Sequence, residues 1–300
     1  MTRLAIVGPT ASGKSNVALA AARQVGDVDL VSVDSMQVYR RMDIGTAKPT
    51  LADQRAVRHH CIDLVEPTES FTVAEFQRAA QGAVAQIERD GRHVVLVGGT
   101  GLYHRAIIDG FDLPGEFPTA RRAVEAEVAA DGLAAAYRRL QRVDPTAAAR
   151  IEPGNQRRVI RALEVTEGAQ RQFSSFGPGV DHYPAIDTVQ IGLRWPRQVL
   201  AERIATRVHA MMDAGLLAEV ESLEGMSRTA AQALGYKELR AHLDGVISLD
   251  EAVAATITRT RQFAVRQERW FRRDPRVRWI DVEPDPVAAA LPAVLDVLRR

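Results

Sequence analysis

Arg3-Leu-Ala-Ile-Val7 runs directly into Gly8-Pro-Thr-Ala-Ser-Gly-Lys14-Ser15, and Lys14 to Gln24 then carries Val17, Ala18, Ala21 and Ala22 at helical spacing. A short buried strand, a glycine-bounded loop matching G-x-x-x-x-G-K-[ST] and a helix is the arrangement of a phosphate-binding P-loop. The glycines let successive backbone N–H groups and the helix N-terminus face one anion. Lys14 adds a point charge, and the Ser15 hydroxyl is a candidate ligand for Mg²⁺. The diphosphate site is therefore expected over Gly8, Pro9, Thr10, Ala11, Ser12, Gly13, Lys14 and Ser15. The motif alone does not say which molecule carries the phosphates.

Working outward, Leu30 to Val33 is a second apolar run, closed by Asp34 and Ser35. Val73 to Glu88 has the pattern of an amphipathic helix, and Val94 to Val97 that of a buried strand leading into Gly98-Gly-Thr100-Gly101. Strands alternating with helices predict an α/β fold: a P-loop NTPase-like, mainly parallel sheet flanked by helices, with ligands at the strands' carboxyl ends. From Phe111 to Tyr183 the pattern changes to Ala/Arg/Glu-rich helical stretches between DLPGEFP and FGPGVDHYP, with no convincing strand. The expected organisation is a core domain of residues 1–110 and 184–300 carrying a helical insertion domain at 111–183. Within the second half of the core, Asp187 to Trp195 and Val277 to Asp281 read as strands, and Pro196 to Asp213, Leu249 to Arg272 and Pro286 to Arg299 as helices.

Composition excludes several classes. With 46% hydrophobic and 26% charged residues in 300, the chain is neither disordered nor collagen-like. Its single cysteine, Cys61, cannot form an internal disulfide, which fits a reducing cytoplasm. No apolar run reaches the length of a membrane span, and the few apolar residues before Gly8 are too short for a signal peptide. The net charge of +1 excludes a polyelectrolyte binder, yet eight arginines fall between Ile257 and Arg278. Such a stripe can engage phosphates, or can be a solvated helix face with Phe263, Trp270 and Phe271 as its core side. Asp34, at a strand's end beside the loop, has three open readings: metal-ligating acid, general base or helix cap.

Several blocks together resemble the bacterial tRNA dimethylallyltransferases, also called tRNA isopentenyltransferases: GPTASGKS at 8–15, SVDSMQVYRRMDIGTAKP at 32–49, HHCIDLVEP at 59–67, LVGGTGLY at 96–103, QRRVIRALEV at 156–165, ALGYKEL at 233–239 and TRTRQFAVRQERWFR at 258–272. They run in family order across nearly the whole chain. The resemblance implies transfer of a dimethylallyl group from dimethylallyl diphosphate to N6 of adenosine 37, in the anticodon stem-loop of tRNA. It implies that the P-loop holds the donor's diphosphate with Mg²⁺, that Asp34 is the general base, that Thr10 bonds the bridging oxygen and that Arg207 contacts the diphosphate. The tRNA contacts it implies are Asp34, Ser35, Met36, Gln37, Thr100, Arg122, Gln156, Arg157, Arg158, Val159, Ile160, Arg259, Arg261, Gln262, Arg266 and Arg269. A monomer in the cytoplasm is expected. An ATP-using small-molecule kinase and a prenyltransferase acting on free AMP remain alternatives, since the loop would look the same in each.

Overall fold

The computed structural model describes residues 1–300 and divides into two compact units, residues 1–108 with 185–300, and residues 109–184. In chain order the first half of the larger unit is β1 (Arg3–Val7), α1 (Lys14–Val25), β2 (Val28–Val33), α2 (Leu51–Ala56), β3 (His59–His60), α3 (Val73–Arg89), β4 (His93–Gly98) and α4 (Gly101–Ile108). The smaller unit is α5 (Pro118–Asp131), α6 (Leu133–Val143), α7 (Pro145–Arg150) and α8 (Gln156–Gly168), followed by a 3₁₀ turn at Phe173–Phe176. The larger unit resumes with β5 (Thr188–Arg194), α9 (Arg197–Asp213), α10 (Leu216–Glu221), α11 (Tyr236–Leu243), α12 (Leu249–Arg272), β6 (Val277–Asp281) and α13 (Pro286–Leu298).

The six strands form one sheet in the order β3-β2-β4-β1-β5-β6, every pairing parallel. This is the α/β fold class expected from the sequence. β1 lies between β4 and β5, so the loop after it opens at the carboxyl edge, where such sheets hold ligands. Both faces are covered. Leu4 and Ile6 of β1 pack into a cluster with α1 and α13, while Ala5 and Val7 pack into the opposite cluster with Phe76 and Ala80 of α3. Both clusters lie within the larger unit. The smaller unit has its own core of Val124, Leu140, Ile151, Val159 and Leu163, among others.

Three differences from the expected elements have physical causes. β2 starts at Val28 rather than Leu30, because Asp29 is buried in it at 1% exposure. Arg92 Nε donates to Asp29 Oδ1 at 2.7 Å and His60 Nε2 lies 2.9 Å from Oδ2, so a residue that reads as loop is satisfied inside the sheet. β3 has two residues, too few to carry a period. α2, α4, α10 and α11 are six to eight residues long, and two of them are fixed by caps rather than by apolar spacing: Thr50 closes a reciprocal box with Asp53, and Glu238 takes the N–H of Gly235 at 2.8 Å.

Candidate active site

The loop joining β1 to α1 turns its backbone inward by departing from ordinary dihedrals. Gly8, Ala11 and Gly13 have φ of 143°, 62° and 88°. At Gly13 an added Cβ would sit 2.4 Å from Cγ of Pro286, so no other residue fits. Ala11 has a Cβ and still adopts the left-handed conformation, at a cost of roughly 1–2 kcal/mol. Side chains from elsewhere in the unit hold it there. Arg203 Nε donates to the Ala11 carbonyl at 3.0 Å, and Trp195 Nε1 to the Ser12 carbonyl at 3.0 Å. The Arg203 guanidinium stacks 4.2 Å from the Trp195 ring centroid. Gln267 Oε1 accepts the Thr10 N–H at 2.8 Å. With each such bond worth about 1 kcal/mol net, the three together offset the strain at Ala11.

Two polar groups inside the loop bear on what it can bind. The Ser12 hydroxyl is buried with no hydrogen-bond partner, and it lies 3.4 Å from where a Cβ on Gly8 would stand. Lys14 folds back so that Nζ donates to the Pro9 carbonyl at 2.6 Å. Burial, and after it the Arg207 guanidinium, lowers its pKa to about 7, with Asp34 opposing both. Burial also works against the charge of Arg207, which Asp34 supports. An unpartnered hydroxyl and two cations held against desolvation make a site suited to a polyanion.

Asp34 follows β2. Its Oδ1 accepts from the N–H of Met36 at 2.8 Å and of Gln37 at 3.4 Å, so it caps a turn and not a helix, while its second oxygen takes no part in that turn. The Thr100 hydroxyl, in the loop after β4, accepts the Ser35 N–H at 3.3 Å. These groups border one cavity of about 280 Å³, lined on its polar side by Thr10, Asp34, Ser35, Thr100, Arg207 and Arg266, with Met36 beside them. Ile204, Val208, Met211, Leu216 and Phe263 form an apolar wall. Gly45 and Thr46 also reach it, on a loop drawn in by Glu219, whose carboxylate accepts the N–H groups of Asp43, Ile44 and Gly45 and the Tyr236 hydroxyl.

The structure brings together Thr10, Asp34, Ser35, Met36, Thr100, Arg207 and Arg266, and sets several other expected residues apart. Gln37 is a brace: its Oε1 accepts from Ser32 Oγ at 2.7 Å and its Nε2 donates to the carbonyls of Thr46 and Ala47. Val159 and Ile160 are 0% and 4% exposed in the core of the smaller unit, so their side chains are closed to a partner, whereas Gln156, Arg157 and Arg158 beside them are exposed. Arg122 is exposed on α5. On α12, Arg259 is paired with buried Glu238 and Arg261 donates to the Ala201 carbonyl, while Gln262, Arg266 and Arg269 are exposed and Arg266 also reaches the cavity. Trp270 packs over Gly101, where a Cβ would meet its ring at 2.1 Å, so it belongs to the packing and not to a stacking surface. Gln267, Glu219, Trp195 and Arg203 escape a reading of the sequence. The one signal was a polar residue, Gln267, on the stripe of Ala264 and Phe271.

No set of three or more His, Cys, Asp or Glu side chains is arranged to hold a metal. The exposed Ser15 hydroxyl is the loop's own candidate oxygen, a donor set that fits a Mg²⁺ ion held largely by phosphates and water.

Lys14 yields a test in the ligand-free protein. Its folded pKa of about 7 lies below the ordinary value of 10.5, so the unfolded chain binds the proton more tightly. Stability from this group rises with pH across that window, and the group is destabilising below it. Lys14→Met is expected to melt above the parent near pH 7, with the gap closing as pH approaches 10.5, read by calorimetry in the absence of ligand. A gap that is absent or constant with pH would contradict the depressed ammonium.

With that geometry in hand, comparison with known proteins is specific. The IPP transferase family model matches residues 37–274. The chain is 47% identical over 293 residues to the tRNA dimethylallyltransferase of Pseudarthrobacter chlorophenolicus, covering 96% of each. Among solved structures it is similar to the full-length tRNA isopentenylpyrophosphate transferase of Bacillus halodurans, at 39% identity and a TM-score of 0.71, covering 99% of this chain and 97% of that one. The tRNA isopentenylpyrophosphate transferase of Staphylococcus epidermidis is similar at 31% identity and a TM-score of 0.70, covering 100% of both. A family match over most of the chain, and relatives nearly half identical along almost its full length, establish that this chain belongs to the IPP transferase family.

Proposed function

We propose that this chain is a tRNA dimethylallyltransferase that moves the dimethylallyl group of dimethylallyl diphosphate to N6 of adenosine 37 in the anticodon stem-loop, releasing diphosphate. The observation that carries the reading is the composition of the cavity: loop backbone and Arg207 at one side, the Asp34 carboxylate at another, and an apolar wall of Ile204, Val208, Met211, Leu216 and Phe263. That wall offers no hydrogen bond to a polar phosphoryl acceptor but shelters a hydrocarbon chain. A prenyl diphosphate needs an anion cradle and an apolar wall side by side, and an acceptor amine needs a base beside them.

In this account the N6 nitrogen forms a bond to the allylic carbon while the carbon–oxygen bond breaks and diphosphate departs with the electron pair. Loop N–H groups, Lys14, Arg207 and the Thr10 hydroxyl stabilise the charge growing on the leaving oxygens. The Asp34 oxygen outside the turn takes the amine proton. A Mg²⁺ ion, with the Ser15 hydroxyl as its protein ligand, would neutralise part of the diphosphate charge. Ser35, Met36 and Thr100 border the cavity where an extruded base would enter, at an unstacking cost of a few kcal/mol. Phosphate contacts fall to exposed Arg122, Gln156, Arg157, Arg158, Gln262, Arg266 and Arg269. No helix is long and apolar enough to cross a membrane, and the reaction is assigned to the cytoplasm, where tRNA is modified.

The direct test is incubation with radiolabelled dimethylallyl diphosphate and Mg²⁺, offering unmodified tRNA and free AMP separately. Label in tRNA alone is expected; label in AMP alone would transfer the chemistry to a free nucleotide, and no label in either would sink the reading. Asp34→Asn keeps the turn-capping oxygen and removes the base, so kcat should fall by about 10²–10⁴ with tRNA affinity nearly unchanged. A near-normal kcat would remove Asp34 from that role.

Neutralising Arg266 and Arg269 together should weaken tRNA binding and reduce the slope of log K against log salt by about 1–2, as expected for two lost phosphate contacts. An unchanged slope would return α12 to a purely structural part.

A further inference from the structure

Gln267 is 7% exposed on the buried stripe of α12, yet both ends of its amide are committed to backbone on two different loops. Oε1 accepts the Thr10 N–H at 2.8 Å, and Nε2 donates to the Gly99 carbonyl at 2.9 Å. The fit at Gly99 is close: a Cβ there would stand 2.2 Å from Gln267 Nε2. The next residue, Thr100, accepts the Ser35 N–H, and Ser35 adjoins Asp34. One side chain therefore closes a path from the loop that cradles the anion, through the loop after β4, to the turn that carries the carboxylate.

The amide is suited to this in a way no apolar residue of similar volume is. It presents one acceptor and one donor in a fixed plane, so it can join an N–H and a C=O with a set spacing. Its helix is rigid. The 24-residue α12 starts in a reciprocal cap between Ser248 and Glu251 and is anchored by buried Ala252, Ala264 and Phe271. A shift of about 1 Å between reacting groups can cost about 10²-fold in rate, so a link that sets the spacing of the two loops bears on the chemical step.

We infer that Gln267 is a positioning residue that fixes the separation between the diphosphate-holding Thr10 and the acceptor-side pair Asp34 and Thr100. The inference rests on the reaction proposed above. It adds a role for a residue that is not among those lining the cavity and acts through the two loop backbones it joins.

Two substitutions test it by transfer of labelled dimethylallyl to tRNA, with single-turnover rates, donor KM and tRNA affinity measured on each. Gln267→Met keeps the volume and loses both bonds. Its kcat is expected to fall about 10–100-fold while donor KM and tRNA affinity stay within about threefold, because Lys14, Arg207 and the remaining loop N–H groups are untouched. Gln267→Glu adds a signature that a merely structural role would not give. Only a protonated carboxyl can both accept from Thr10 N and donate to the Gly99 carbonyl. The ratio of the variant's kcat to the parent's should therefore rise as pH is lowered from about 9 to about 6, the range of a buried carboxyl's pKa. That ratio carries the test if Gln267→Met does not fold. An active parent with a folded Gln267→Met variant within about twofold of its kcat, or a flat ratio for Gln267→Glu, would overturn the positioning role alone. A parent that transfers no label would overturn the proposed reaction and this role with it.

Discussion

The site depends on a backbone constraint: the loop of residues 8–13 holds left-handed dihedrals at Ala11 and Gly13. Such a loop does not hold itself. Its outward-facing carbonyls at Ala11 and Ser12 are tied by Arg203 and Trp195, its Thr10 N–H is tied by Gln267, and Pro286 fills the space that a side chain at position 13 would need. These four groups come from the part of the chain that follows the smaller unit. The order β3-β2-β4-β1-β5-β6 explains why: β1 is buried centrally, with β4 and β5 as its neighbours, so the elements bracing the loop after it are the ones that come later in the chain.

Charge is arranged with the same asymmetry. Lys14 and Arg207 are cations that burial penalises, and the nearby Asp34 is the negative charge that supports both. The ligand-free state is thereby electrostatically uncomfortable, and Lys14 turns inward to the Pro9 carbonyl. An incoming diphosphate supplies the missing counter-charge, so binding and protonation of Lys14 favour each other. Asp34 serves a structural and a chemical end at once: one oxygen organises the Met36–Gln37 turn, the other is left for the acceptor.

How much of this was legible in the sequence follows from the range of each interaction. The loop, its flanking strand and helix, and the parallel sheet are written in local patterns, glycine spacing and apolar runs, and were readable. Asp34 was readable as a candidate, although three roles stood open until the turn's hydrogen bonds separated the cap from the free oxygen. Long-range contacts were not readable. Nothing local marks Gln267 as a partner of Thr10, 257 positions away, or Glu219 as the acceptor for the N–H groups of residues 43–45. For the same reason the side chains of Gln37, Val159, Ile160 and Arg259 look available in a string and are occupied within the fold. Apolar and arginine-rich stretches in a helix carry both meanings, and only burial decides between them.

The central claim is that this P-loop cradles the diphosphate of a prenyl donor and not a nucleotide triphosphate. Calorimetric titration of the parent and of Lys14→Ala, with Mg²⁺ and a dimethylallyl diphosphate analogue whose bridging oxygen is replaced by sulfur, tests it most directly, with ATP titrated in parallel. Saturable binding of the analogue, accompanied by proton uptake above pH 7 as Lys14 regains its charge and lost in Lys14→Ala, with little or no heat from ATP, is the result the account predicts. Tight binding of ATP, with no heat from the prenyl analogue, would contradict it.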